Sequence, residues 1–283
     1  MHFADFLNSE ISRKKTALCV GLDPHFDLIF DEFKKKFDDD PEKILENFCV
    51  EIVDAVADFA AAVKPNFAFF EKFGWRGIRV FEKICAFAKS KNLPVIVDAK
   101  RNDIGSTAAA SAEYFLQNKI FDALTINPFL GADSIAPFLK LANKNEKGIF
   151  ILVKTSNAGS RDFQDEICGE KKMHEKLAEK VAKWGAENLN SQNFSNCGAV
   201  VGATFPDEIR NLRKKMPAQI FLIPGFGAQG GDLKNTFGAF RDGGFGAVVN
   251  SSRGISFAEK NWNFAAAARA ECEKIRENFA EIF

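Results

Sequence analysis

The sequence predicts an α/β protein built as a single (β/α)8 TIM barrel with an extra N-terminal helix, and three observations carry that reading. Short apolar or β-branched runs alternate with longer segments of helical periodicity. The runs are apolar throughout, as strands buried on both faces of a parallel sheet must be. Eight such units occur in a chain of 283 residues, and roughly 250 residues is usual for a closed barrel of this type.

The elements follow in order. Phe3 to Lys15 reads as the extra helix, with a polar connection over Ser12 to Thr16, and Met1 to Lys15 is expected to cover the bottom of the barrel. The expected strands are Ala17 to Gly21, Ala61 to Lys64, Pro94 to Asp98 and Ala123 to Asn127, then Gly148 to Lys154, Gly198 to Thr204, Gln219 to Pro224 and Gly246 to Asn250. Intervening stretches such as Pro41 to Phe59, Trp75 to Lys91 and Met173 to Asn188 are long enough for helices. The Lys34-Lys35-Lys36 and Asp38-Asp39-Asp40 runs read as a solvated loop after the first strand. No Gly-x-Gly-x-x-Gly element follows that strand, which counts against an open, doubly wound sheet. No linker or low-complexity run divides the chain, so residues 1–283 are expected to form one domain.

Composition narrows the function. The 38 basic and 38 acidic residues cancel, so the chain lacks the broad positive surface that nucleic acid or an anionic membrane would need. No run of eighteen apolar residues occurs and the first twenty residues hold no secretory core, so no membrane association is expected. The six cysteines form no Cys-x-x-Cys pair and read as reduced thiols of a cytoplasmic protein. The three histidines, His2, His25 and His174, are isolated in sequence, which argues against a histidine-based metal site or a Ser-His-Asp triad. The 31 phenylalanines read as core filling.

In a barrel of this kind the chemistry sits where strands end. Here apolar runs repeatedly hand over to polar groups: Asp23 after strand one, Lys64 after strand two, Asp98 and Lys100 after strand three, Asn127 after strand four. Lys154-Thr155-Ser156-Asn157 ends strand five, Thr204 ends strand six, and Asn250 to Arg253 end strand eight. The most informative stretch is Asp98-Ala99-Lys100-Arg101-Asn102-Asp103-Ile104-Gly105-Ser106-Thr107, which follows the buried run Val95-Ile96-Val97. Residues two apart in an extended chain share a face, so Asp98 and Lys100 should point together. Asp23, Lys64, Asp98, Lys100 and Asp103 are then a candidate cluster of three carboxylates and two ammoniums. A hard cation is the rival explanation for clustered carboxylates, but the two lysines already supply positive charge, so no metal is expected. One such pair at 4 Å is worth roughly 4 kcal/mol at an effective dielectric of 20. An alternating array suits the stabilisation of a transient anion followed by proton delivery.

A second signal lies after the last two strands. Gly225, Gly227, Gly230 and Gly231 leave backbone N–H groups open to an anion, Gln229 adds a side-chain donor, and Arg253 adds a planar cationic fork. Loops after strands seven and eight are the usual phosphate site of this architecture.

With these residues in place, the chain resembles the orotidine 5′-monophosphate decarboxylases over nearly its whole length. Asp98-x-Lys100-x-x-Asp103-Ile104 is typical of the wider superfamily. Leu22-Asp23-Pro24, Lys64-Pro65-Asn66, Thr155-Ser156-Asn157 and Pro224-Gly225-x-Gly227-Ala228-Gln229-Gly230-Gly231 make the likeness more specific, and the form of the central motif is similar to the larger bacterial branch. The resemblance implies cofactor-independent decarboxylation of a small-molecule nucleotide in pyrimidine biosynthesis. It implies Lys100 as proton donor to C6 of the pyrimidine, Asp98 facing the substrate carboxylate, Lys64 bridging Asp98 and the ribose, and Asp23 on a ribose hydroxyl. Ser156 would bond the pyrimidine amide, and Gln229 and Arg253 would hold the 5′-phosphate. It further implies a homodimer in which Asp103 and Thr107 reach a neighbouring subunit's site. One departure is Ala158-Gly159 where the family pattern has Pro-Gly, which bears on loop stiffness. The polar stretch Ser160 to Glu170 would lie near the base. Three other readings compete: a magnesium-dependent phosphosugar decarboxylase or aldolase of the same superfamily, a Schiff-base aldolase, whose neutral lysine the flanking carboxylates disfavour, and a non-catalytic nucleotide-phosphate binding protein.

Overall fold

The computed structural model describes residues 1–203, 206–225 and 233–283. Eight parallel strands are joined in the order β2-β1-β8-β7-β6-β5-β4-β3, where β1 is Leu18–Leu22, β2 Ala62–Pro65, β3 Ile96–Arg101, β4 Ala123–Ile126, β5 Gly148–Lys154, β6 Ser195–Val201, β7 Gln219–Ile223 and β8 Ala247–Ser251. Parallel bridges Val63 to Val95 and Asn66 to Asp98 join β2 to β3 and bring the sheet round on itself. The outer helices include α2 (Pro41–Val56), α3 (Gly74–Ser90), α4 (Gly105–Gln117), α5 (Ala132–Lys144), α6 (Met173–Trp184), α7 (Pro206–Lys215) and α8 (Phe264–Asn278).

Two apolar clusters follow from the two-residue period of the strands. Alternate residues such as Val20, Val63, Val97, Leu124, Ile151 and Val249 pack outward against the helices. Those between them, among them Cys19, Ala62, Ile96, Ala123, Phe150 and Val248, fill the lumen. Helix α1 (Phe3–Lys14) closes the lower end by inserting Phe3, Ala4, Leu7 and Ile11 into that same cluster. Gly148 permits the approach, since a Cβ there would stand 2.4 Å from the Phe3 ring. The expected N-terminal cover is therefore present and packed.

The cysteines behave as small core residues: five of the six are buried, and burial pushes the thiols of Cys19, Cys197 and Cys272 up to about 12. No helix among the described residues is long and apolar enough to cross a membrane.

Three expectations need correction. The sixth strand begins at Ser195, three residues before the expected Gly198, because its polar start is satisfied internally. Ser195 Oγ donates to the Gly185 carbonyl, and Asn196 Nδ2 donates to Asn143 Oδ1 and the Lys147 carbonyl. The Lys34-Lys35-Lys36 run is helical, within Asp31–Lys36, and Asp40 caps α2 by accepting from Glu42 N. The Ser160 to Glu170 stretch is not plain loop; it carries a short helix, Arg161–Gln164, and half of a hairpin pairing Ile167 with Lys172. Thr204 lies outside the described residues.

Candidate active site

Continuing the lumen-facing alternation one step above the core puts Lys64, Asp98, Thr125, Lys154 and Asn250 in the layer at the strands' C-terminal ends. Asp98 is the centre of this layer. Its Oδ2 accepts from Lys64 Nζ at 2.6 Å, and its Oδ1 accepts from Lys100 Nζ at 2.5 Å and from Thr125 Oγ1 at 3.1 Å. Lys64 and Asp98 side chains are 5% and 9% exposed, whereas Lys100 is 49% exposed and reaches the open mouth. Burial by itself would raise the pKa of Asp98; the charges and hydrogen bonds of Lys64 and Lys100 outweigh it and hold the carboxyl well below the ordinary range. Burial likewise opposes the charge on Lys64, but the negative charges of Asp98 and Asp23 overcome it and raise that ammonium's pKa.

Asp98 and Lys100 do meet, although not through a plain pleat. Val97 pairs with Leu124 and Arg101 pairs with Ile126, so three residues of β3 stand opposite Thr125 alone. Lys100 occupies the left-handed region at φ 46°. The chain makes an excursion here, and its tip delivers the lysine.

Of the other expected residues, Asp23 is half-buried near Lys64, and its Oδ1 is buried without a hydrogen-bond partner among the described residues. Ser156 is half-buried at the end of β5, backed by Gly202, whose Cβ would stand 3.0 Å from the Ser156 nitrogen. Arg253 is exposed at the start of the short helix Arg253–Ser256. That turn packs on the turn carrying Asp23: Ser256 Oγ donates to the Gly21 carbonyl at 3.4 Å, and a Cβ on Gly21 would lie 1.9 Å from Ser252 Oγ. Gln229, Gly227, Gly230 and Gly231 lie outside the described residues; Gly225 precedes them at φ 97°. Asp103 does not join the Asp98 cluster. Its carboxylate accepts from Ile104 N at 2.8 Å, and Thr107 lies exposed at the start of α4.

Sequence reasoning missed Thr125, which a strict period of two counted from Ala123 points into the lumen. It also treated His174 as isolated. The fold sets His174 Nδ1 2.8 Å from the Gln164 carbonyl and 3.3 Å from Asp165 Oδ1, so that nitrogen carries a proton. Asp165, His174 and Glu208 come within 4.8 Å of one another, the spacing of a cation site. Lys154 Nζ lies 2.7 Å and Lys172 Nζ 3.7 Å from Asp165, and Lys172 is 3.3 Å from Glu208, so ammoniums supply the positive charge there. The result is a tie from the loop to its own stem, completed by Gln164, which accepts from Thr155 N at 2.8 Å and donates to Thr155 Oγ1 at 2.9 Å.

A parallel barrel with a lysine–aspartate–lysine array at the strands' C-terminal mouth and a cation after its last strand places this chain among the (β/α)8 barrels whose polar groups gather at the end where such barrels carry their chemistry. Comparison with known proteins narrows this: the chain belongs to the orotidine 5′-phosphate decarboxylase / HUMPS family, which matches residues 16–269. It is 42% identical over 279 residues to orotidine 5′-phosphate decarboxylase of Rhodopirellula baltica, covering 95% of this chain and 92% of that one. Among solved structures it superposes on OMP decarboxylase of Leishmania donovani with a TM-score of 0.79 and 34% identity over 99% of both chains. It also matches UMP synthase of the same organism with a TM-score of 0.83 and 35% identity, covering all of this chain and 56% of that longer one.

Proposed function

We propose that this chain, as one barrel domain over residues 1–283, decarboxylates orotidine 5′-monophosphate to uridine 5′-monophosphate without a cofactor, in de novo pyrimidine biosynthesis. The observation that carries this is the Lys64–Asp98–Lys100 array, with both carboxylate oxygens engaged and one ammonium open to the mouth. Removing CO2 from C6 leaves a carbanion with little resonance help, so the site must supply the upper part of the roughly 8–23 kcal/mol by which enzymes lower barriers. Arg253, together with Gln229, grips the 5′-phosphate, and this remote binding energy orients the pyrimidine. Asp98, kept anionic, faces the substrate carboxylate and disfavours its bound state. As the C6–carboxylate bond breaks, its electron pair stays on C6. Lys100 stabilises that charge, donates its proton to C6 and is reprotonated from solvent. Lys64 bridges Asp98 and the ribose, Asp23 binds a ribose hydroxyl and Ser156 reads the pyrimidine amide.

The active form in this proposal is a homodimer with shared sites. Asp103 and Thr107 sit on an outward segment, away from their own chain's array, beside Ile104, which is 57% exposed. Phe129 and Leu130, after the neighbouring strand β4, are 80% and 43% exposed. An apolar surface of this kind beside two polar residues suits a second copy that takes those residues into its own mouth. Six free cysteines suit the reducing cytoplasm.

The direct test adds orotidylate to protein stripped with EDTA and follows the orotate ultraviolet band. Loss of the band with formation of uridylate is expected. Orotidylate turnover that appears only when magnesium is restored would overturn the cofactor-independent mechanism. Turnover of a phosphosugar with magnesium but none of orotidylate would support the metal-dependent chemistry of the wider superfamily, and nucleotide binding without turnover would support a nucleotide-phosphate sensor.

A further inference from the structure

We propose that Thr125 is a positioning residue for Lys100, its hydroxyl holding the β3 excursion in the one shape that brings the ammonium to the mouth. This deepens the reading of Lys100 as proton donor and rests on it.

Three hydrogen bonds meet at Thr125 Oγ1. It accepts from Ala99 N at 3.1 Å and Lys100 N at 3.0 Å, and donates to Asp98 Oδ1 at 3.1 Å. A threonine hydroxyl has one proton and two lone pairs. Two backbone donors occupy the lone pairs, so the proton is directed to Asp98 and the group is saturated. The side chain is buried, with Thr125 1% exposed.

The need for this acceptor follows from the ladder. Between the Val97–Leu124 and Arg101–Ile126 pairs, β3 spends three residues against one of β4. The N–H groups of Ala99 and Lys100 therefore have no carbonyl partner across the strand, and buried donors left unpaired are costly. Lys100 also holds a left-handed backbone, φ 46°, which a residue with a Cβ adopts only when its surroundings impose it. Thr125 supplies what the ladder lacks at the very two amides that flank the turn.

The same oxygen then fixes the array. Thr125 Oγ1 and Lys100 Nζ both address Oδ1 of Asp98, leaving Oδ2 to Lys64. Carboxylate rotation would break bonds to three different residues at once. One hydroxyl thus sets the backbone that carries the proton donor and the carboxylate that faces it.

The test compares Thr125→Val, which keeps the shape and removes the hydroxyl, with Thr125→Ser, which keeps the hydroxyl. For Thr125→Val we expect kcat to fall about 100-fold, the scale of a small misplacement of a catalytic group, with KM for orotidylate and the Kd of uridylate each within about threefold of wild type. Thr125→Ser should recover most of kcat. A Thr125→Val enzyme with near-normal kcat, beside an inactive Lys100→Ala, would overturn the proposal and leave the proton-donor assignment standing. A fully active Lys100→Ala would take both down. Parallel losses in kcat, uridylate affinity and thermal midpoint would reduce Thr125 to a structural part and refute the positioning role. Should Thr125→Val not fold, hydrogen exchange on the unaltered protein decides: the Ala99 and Lys100 amides should be protected like those of β4, and rapid exchange at both would overturn the proposal.

Discussion

Asp98 sits between two ammoniums at a depth where an unpaired charge would be expensive. Replacing it with asparagine leaves Lys64 buried opposite a neutral amide, and breaking a buried pair in this way costs about 3–5 kcal/mol. The pH dependence has a definite sign. The folded-state pKa of Asp98 is depressed, so its contribution is complete above the unfolded value of about 3.9 and is lost as the pH falls further. The difference in thermal midpoint between wild type and Asp98→Asn should therefore be constant near neutrality and shrink below about pH 4. A gap that widens in acid would contradict the charged network. At this scale the charged members were legible, because a carboxylate and an ammonium at the end of an apolar run stand out against their surroundings. Thr125 was not, since threonine is an ordinary strand residue and only the uneven pairing of β3 with β4 gives its hydroxyl a task.

At the level of elements, the first and last strands of the barrel are locked together at the mouth. Cys19 pairs with Asn250 and Val20 with Ser251, and Gly21, the next residue of β1, faces Ser252 just beyond β8. A methyl group at position 21 would collide with the Ser252 side chain at 1.9 Å and 2.8 Å, pushing the turn that carries Arg253. Gly21→Ala should cost about 1–3 kcal/mol of stability by overpacking and raise KM for orotidylate more than it lowers kcat. Adding Ser252→Gly should restore both, and a double variant no better than the single one would rule out the steric explanation. The eight strands were legible because an apolar run survives in every unit, and β5 was placed residue for residue. Polar side chains obscured β6: Ser195 and Asn196 look like loop until their hydrogen-bond partners are known. The tie through Gln164, Asp165 and His174 joins residues up to twenty positions apart in sequence, which no local pattern announces.

For the whole molecule, the site is incomplete in one copy if Asp103 and Thr107 serve a neighbour. Mixing two inactive variants tests this. Lys100→Ala and Asp103→Ala homodimers should each be nearly inactive, and a mixture allowed to exchange subunits should recover roughly a quarter of the wild-type sites, since half the dimers are mixed and each carries one intact site. No recovery despite demonstrated exchange would place both residues in the same chain's site. Sequence reasoning grouped Asp103 with the central cluster by proximity along the chain; the fold turns that segment outward, and in the proposed dimer a second copy would restore the grouping.

The seal made by Phe3, Leu7 and Ile11 has a kinetic corollary. Among the described residues the stoppered base leaves the mouth as the way in, so in the proposed reaction nucleotide and gas share one threshold. On the proposed assignment uridylate is anchored by its phosphate at the rim, so carbon dioxide, small and uncharged, is expected to leave before the heavier product.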